Sequence, residues 1–217
     1  MIRMIKSFLK YLVSNIALPD KVVWHGDKNT NLISLTFDDG PNSVHTFQVL
    51  RALEEIDAKA TFFLLGKNIT KHKDVLQEII NQGHEIATHT YSHLSMRQVE
   101  HNKYIYDVEN CENLLKEYNI EPKLFRPPYG DIAWFSVKNV LKGRKIILWN
   151  RDTMDYSFSD IDTAWEYSDK LKIESGDIFL LHDVYEHTAE IVLRLGEKAK
   201  NKGLKIVPVS KMMNWDD

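Results

Sequence analysis

The sequence predicts an α/β fold built on parallel strands, and three observations carry that reading. Short runs rich in Ile, Val, Leu and Phe alternate with longer stretches of helical period. Those runs are apolar throughout rather than at every second residue, which suits a sheet buried on both faces. Glycines stand where helices should stop before the next strand.

Taken in order, the first strand is read at residues 32–37 and is followed at once by Asp38 and Asp39. A helical stretch at 46–56 leads to the second strand at 60–65. The next helix, 71–82, stops at Gly83 before the third strand at 84–88, beyond which come His89 and His93. A long helical pattern over 97–118 precedes the fourth strand, 124–126, which ends on Arg126. The fifth strand, 145–149, leads to Asp152. Helix 161–173 and Gly176 introduce the sixth strand, 177–181, which delivers His182. Gly203 precedes the seventh strand at 205–209. Strands that alternate with helices are joined by right-handed crossovers, and either an open doubly wound sheet or a closed barrel fits this rhythm. The polar residues gathered after several different strands lean toward a barrel, because parallel strand ends converge there on one rim; an open sheet would concentrate them at one switch point.

The chain's 217 residues, 43% hydrophobic and 27% charged, suit one domain with a sizeable core, since no Gly/Ser/Pro-rich linker marks a boundary. A net charge of −3 without a concentrated basic patch argues against nucleic acid as a partner. The single cysteine, Cys111, rules out an internal disulfide, fits a reducing compartment, and falls on an amphipathic stretch where a buried structural thiol is expected. Residues 1–30 form a lead-in. Within it Ile2, Ile5, Leu9, Leu12 and Ile16 share one helical face, while Arg3, Lys6 and Lys10 fall elsewhere. That helix could pack on the domain, or residues 2–16 could lie on a membrane surface as a basic amphipathic helix. Lys10 interrupts the apolar run and no small-residue cleavage site follows, so the expected location is the cytoplasm or the inner face of its membrane, with secretion left open.

Five segments hold the residue types that chemistry needs. Thr36-Phe37-Asp38-Asp39-Gly40-Pro41 ends a strand on two adjacent carboxylates, a costly pairing unless a cation relieves it, though the same residues also make turns. His89-Thr90-Tyr91-Ser92-His93 places two imidazoles four residues apart, and they can face one way if the segment turns helically. Two histidines and one carboxylate leave coordination positions open, as a catalytic metal requires. Phe125-Arg126-Pro127-Pro128-Tyr129-Gly130 is a stiffened loop that can present a guanidinium and a backbone N–H. Trp149-Asn150-Arg151-Asp152-Thr153-Met154-Asp155-Tyr156 adds acids and aromatics beyond a strand. Ile178-Phe179-Leu180-Leu181-His182-Asp183 ends a buried strand on a histidine suited to acid catalysis near neutral pH.

In this order the five segments resemble the motifs of the polysaccharide deacetylase family, carbohydrate esterase family 4 with its NodB-type domain. The resemblance runs from Thr36 to His182. It implies a distorted (β/α)7 barrel over residues 31–217, preceded by the N-terminal amphipathic helix. It further implies removal of the N-acetyl group from a GlcNAc-type amino sugar in an oligosaccharide, polysaccharide or lipid-linked precursor. A deformylase or other C–N hydrolase on the same scaffold is the alternative, and a non-catalytic glycan-binding protein a third reading. Asp39, His89 and His93 are implied as ligands of a divalent metal, zinc by default and cobalt or nickel by chemistry. Asp38 is implied as the general base, contacted by Arg126, and His182 as the general acid, paired with Asp152. The Tyr129 backbone N–H would face the oxyanion, Leu180 would line the pocket for the acetyl methyl, and Tyr156 would form a wall of the sugar site. Two departures stand out: Tyr156 where the family usually has tryptophan, and Leu94 where relatives often have proline.

Overall fold

The computed structural model describes residues 22–132 and 143–215. The expected amphipathic helix at residues 2–16 therefore lies outside the described residues, and among those described no helix is long and apolar enough to cross a membrane.

The strands are β1 (Val22–Val23), β2 (Leu32–Asp38), β3 (Thr61–Leu64), β4 (Glu85–Thr88), β5 (Leu124–Phe125), β6 (Lys145–Ile147), β7 (Arg151–Asp152), β8 (Ile178–His182) and β9 (Lys205–Ile206). They form one 9-stranded sheet in the order β1-β6-β5-β4-β3-β2-β8-β7, with β9 also on β2. The strand pairs are parallel, as expected of strands joined through helices. β6 and β7 belong to one short run of chain, 145–152, which pairs with β5 at its start and with β8 at its end. The sheet thus curls around on itself into a distorted barrel.

The helices are α1 (His45–Glu55), α2 (Gly66–Lys71), α3 (Lys73–Asn81), α4 (His101–Lys116), α5 (Ile161–Lys170), α6 (Thr188–Asn201) and α7 (Val209–Met212). The helix expected at 71–82 is α3, and the short α2 before it is set off at His72, whose φ of −129° and ψ of 57° are not helical. β1 lies in what the sequence suggests is lead-in, yet its backbone is paired with Ile146 and Ile147. Val209, expected to end a strand, instead opens α7 directly after Pro208, whose fixed φ suits a helix start. Gly176 has a φ of 81°, and a Cβ there would sit 2.7 Å from the Gly26 carbonyl oxygen, so both backbone shape and close approach require glycine.

The largest core cluster joins β2 and β3 to α1 and α6, through residues such as Ile33, Leu35, Phe62, Leu53 and Leu195. Cys111 is buried in it, where burial pushes the thiol pKa up to about 12, so the structural reading of that cysteine fits its surroundings. His84 is buried as a neutral ring: its Nδ1 accepts the Ala60 N–H at 3.2 Å. Burial, helped by the charge of Lys59, lowers its pKa from 6.5 to about 4. The unfolded chain therefore takes up this proton first, and folding stability should fall as pH drops from about 6.5 to about 4. Urea unfolding at pH 7 and pH 4.5 measures that loss; His84→Gln should reduce it, and an unchanged loss in the variant would remove His84 as its source.

Candidate active site

The β-sheet register aligns the chemistry. On neighbouring strands Asp38 is level with His182, and Leu64 with Thr88, which in turn is level with Phe125 just before Arg126. The segments that follow these strand ends leave ordinary backbone geometry. Among the described residues, eight that are not glycine have positive φ, and five of them surround this rim: Asp39, Thr90, His93, Tyr129 and Met154. Backbone held in that region is strained and persists where surrounding structure over-determines it, most often at functional sites.

Asp39, His89 and His93 each present a ligand atom, all within 4.8 Å of one another. They do not meet on a helical turn. His89 follows the end of β4, and His93 is returned to it by a loop whose Thr90 has φ 73° and His93 φ 63°. His89 Nδ1 donates to the Arg126 carbonyl oxygen at 2.7 Å, which leaves Nε2 as the lone-pair nitrogen. Burial above all drives the His89 pKa down to about 3, so the ring is neutral and ready to bind a cation. Its Nε2 lies 3.7 Å from Asp39 Oδ1, and His93 Nε2 lies 3.3 Å from the same oxygen. That oxygen is buried and has no hydrogen-bond donor among the described residues. A buried, unpaired carboxylate oxygen facing two imidazole nitrogens is a donor set that fits a divalent metal.

Asp38, at the end of β2, is buried beside this cluster. Its Oδ1 accepts from Arg126 Nη1 at 2.7 Å, and its Oδ2 lies 3.7 Å from His89 Nε2. Arg126 is wholly buried, with further bonds to Thr36 Oγ1 and to the carbonyl oxygens of Ile147 and Leu148. The Arg126–Asp38 contact is the one the motif resemblance implies.

His182, at the end of β8, has a different partner from the one expected. Its Nδ1 is 2.8 Å from Asp155 Oδ1, and its backbone N–H donates to Asp155 Oδ2 at 2.6 Å. Asp152 instead accepts from the Met154 N–H at 2.9 Å and the Tyr156 hydroxyl at 3.2 Å. The reason is local: Asp152 pairs in β7 with Leu180, two residues short of His182. Met154 then turns the chain in the left-handed region, and the 3-10 turn Asp155–Ser157 buries Asp155 against the histidine. Burial works against the charged imidazole, but the Asp155 hydrogen bond and charge outweigh it, with Asp38 and Asp39 adding to them, and raise the His182 pKa to about 9. Asp155 lies inside the fourth motif, so the signal for it was present; only the choice between two aspartates was missed.

The proposed substrate residues line the same rim. Tyr129 is 67% exposed and meets the His93 ring edge-on at 4.7 Å. Tyr156 meets the His182 ring in the same way at 5.5 Å, and Leu180 is buried two residues before His182. Tyr185, which the motifs do not single out, packs on another edge of His182 at 5.8 Å. The second acid of the last motif, Asp183, points away into the core, where Thr46 Oγ1 donates to it at 2.5 Å and burial raises its pKa to about 7. A Cβ on Gly40 would lie only 2.2 Å from Asp183, so the turn after Asp39 closes over this carboxyl only because residue 40 is glycine.

A metal-capable triad, a carboxylate beside it and a histidine–aspartate pair facing them across one rim define a metal-dependent hydrolase on a curled parallel α/β sheet. Comparison with known proteins makes the class particular: residues 25–142 match the polysaccharide deacetylase family, and the chain belongs to that family. It is 30% identical over 200 residues to a peptidoglycan-N-acetylglucosamine deacetylase of Bacillus cereus, covering 89% of this chain and 93% of that protein. It is 29% identical over 189 residues to the peptidoglycan-N-acetylmuramic acid deacetylase PdaC of Bacillus subtilis, covering 86% of this chain but 39% of that longer protein. The crystal structure of the Bc1960 peptidoglycan N-acetylglucosamine deacetylase superposes with a TM-score of 0.83 at 30% identity, covering 89% of this chain and 93% of that one.

Proposed function

We propose that the protein is a divalent-metal-dependent N-deacetylase of an N-acetylated amino sugar in peptidoglycan or a related glycan, with zinc as the metal. The observation that carries this reading is the convergence, on one rim, of the Asp39–His89–His93 cluster with Asp38–Arg126 and His182–Asp155. Pure glycan binding would need neither a base nor an acid, and both are present. The two relatives that act on N-acetylglucosamine and N-acetylmuramic acid units of peptidoglycan support the substrate class.

A divalent cation held by Asp39, His89 and His93 would supply Lewis acidity to the acetamide carbonyl and the attacking water. The chain's own groups move the protons. Asp38 has Oδ1 engaged by Arg126, which leaves Oδ2 to take the proton of the water that attacks the acetyl carbon. His182 has Nδ1 committed to Asp155, which aims Nε2–H at the departing amine, a very poor leaving group unless protonated. The Tyr129 backbone N–H would face the developing oxyanion, Leu180 would border the acetyl methyl, and the exposed faces of Tyr129 and Tyr156 would pack on sugar rings.

The test is acetate release from N-acetylchitooligosaccharides of increasing length and from peptidoglycan fragments, by protein loaded with zinc and by protein stripped with a chelator. Release by the loaded form alone is expected, with length dependence reporting how many sugars are read. Zinc-loaded protein that frees acetate from none of these substrates would overturn the reading.

A further inference from the structure

The segment that carries both histidine ligands is held from outside by a residue that no motif includes. Between His89 and His93 the chain makes an unfavourable excursion, with a β-branched residue, Thr90, at φ 73° and His93 at φ 63°. The N-terminus of α2 restrains one side, where Gly66 N–H donates to the Thr90 carbonyl at 3.1 Å and Lys67 N–H to the Tyr91 carbonyl at 3.0 Å. His93 N–H closes the loop on Thr90 Oγ1 at 3.0 Å. The other side faces α4. There Asp107, buried on that helix, turns its carboxylate to the loop, and a single oxygen, Oδ2, accepts from Tyr91 N–H at 3.1 Å and Ser92 N–H at 2.9 Å. Tyr91 N–H also reaches the Asp107 carbonyl oxygen at 3.1 Å. The neighbouring α4 residues Tyr104, Val108, Cys111 and Leu115 are spent on packing, so Asp107 is the point at which that helix grips the loop.

We propose that Asp107 is a positioning residue of the metal centre. By fixing the peptide N–H groups of Tyr91 and Ser92, it sets where His93 stands relative to His89 and Asp39, without itself touching a metal. Without it, the strained conformation loses one of its main restraints and the loop relaxes toward ordinary backbone angles, spreading the two imidazoles. This inference rests on reading Asp39, His89 and His93 as the metal site.

The experiment measures affinity for Zn²⁺ and Co²⁺ by competition with a chromophoric chelator, together with the Co²⁺ absorption spectrum and the thermal midpoint of metal-free protein. Asp107→Leu, which removes both acceptor oxygens and keeps the helix, is expected to weaken metal binding by about 10–100-fold, the usual cost of losing an outer partner of a ligand, and to alter the cobalt spectrum. Asp107→Asn keeps an oxygen that can accept both N–H groups and should restore binding to within about threefold. Val108→Ala, one residue away in the core, should lower the thermal midpoint while leaving affinity and spectrum as in the wild type. Asp107→Ala is read in the same way as the leucine variant should the latter fail to fold. Wild-type affinity and spectrum in the leucine or alanine variant would overturn the positioning role, as would an equal loss of affinity in Val108→Ala. If the wild type itself bound neither ion, the metal-site reading would fall, a result distinct from unchanged binding in the Asp107 variants.

Discussion

Asp155→Asn is expected to lower kcat for acetate release by about 10²–10⁴-fold, the span a positioned proton donor contributes, while Asp152→Asn stays within about tenfold. Asp155 holds His182 twice, through Nδ1 at 2.8 Å and the backbone N–H at 2.6 Å. It also accepts from Thr188 Oγ1 at 3.1 Å, and its carbonyl oxygen bonds His187 Nε2 at 2.5 Å. An asparagine would keep the shape but could offer an N–H to Nδ1. That makes Nδ1 an acceptor and holds the ring neutral with its one proton on Nε2, and a neutral imidazole is too weak an acid to protonate the leaving amine. The pH profile separates this role from simple loss of structure. With a pKa near 9, His182 is protonated and active below that value, and activity is lost as pH rises through it. In Asp155→Asn the opposing burial is no longer outweighed, and the alkaline limb should move toward acid by about 2 pH units. The same pair contributes stability that is complete below about 6.5 and lost as pH rises through about 9. Kinetics of both variants from pH 5 to 10 decide the matter; a normal kcat and limb in Asp155→Asn, with losses in Asp152→Asn, would return the role to Asp152.

The confusion of these two aspartates shows where sequence reasoning stops. Strand ends are legible because a buried parallel strand is a run of apolar residues and the ionisable residue that closes it needs a polar partner or a site to be held there. Asp38, His89, Arg126 and His182 all announce themselves in this way. What happens in the next three residues depends on turns with no period. Met154 adopts a left-handed conformation that its side chain does not advertise, and that one angle decides which aspartate meets His182. The His89–His93 segment is a similar case: a spacing of four suggests a helical turn, but the two rings meet through a strained loop. Two-residue strands such as Val22–Val23 carry no periodicity, so the sheet is longer than the apolar runs alone suggest. Asp107 was invisible for a different reason, since a single carboxylate on an amphipathic helix reads as part of its solvated face until the fold brings a loop against it.

Removing the arginine inside the barrel should be costly in a way that removing the base is not. Arg126→Met is expected to destabilise the protein by about 3–5 kcal/mol, the cost of breaking one side of a buried charge pair, and to leave little activity. The side chain is a strut: it joins Thr36 and Asp38 of β2 to the carbonyl oxygens of Ile147 and Leu148, and its guanidinium lies over the Phe63 ring at 4.1 Å. Burial pushes its pKa down while Asp38 pushes back, so each charge is tolerated in the core only because the other is there. A methionine would leave the Asp38 carboxylate buried without its donor and three other acceptors unmet. Arg126→Lys keeps the charge but not the planar fork, and one ammonium cannot reach acceptors spread over two strands. Asp38→Asn differs, because the amide oxygen can still accept from Nη1. It should fold with a smaller loss of stability yet lose about 10²–10⁴-fold in kcat for want of a base. Urea unfolding and acetate release on the two single variants and the double one test this together. Because the groups touch, the losses should not add: once Arg126 is gone, Asp38→Asn should recover part of the stability by removing the stranded charge. Strictly additive losses would mean that the two side chains are neighbours without being a pair.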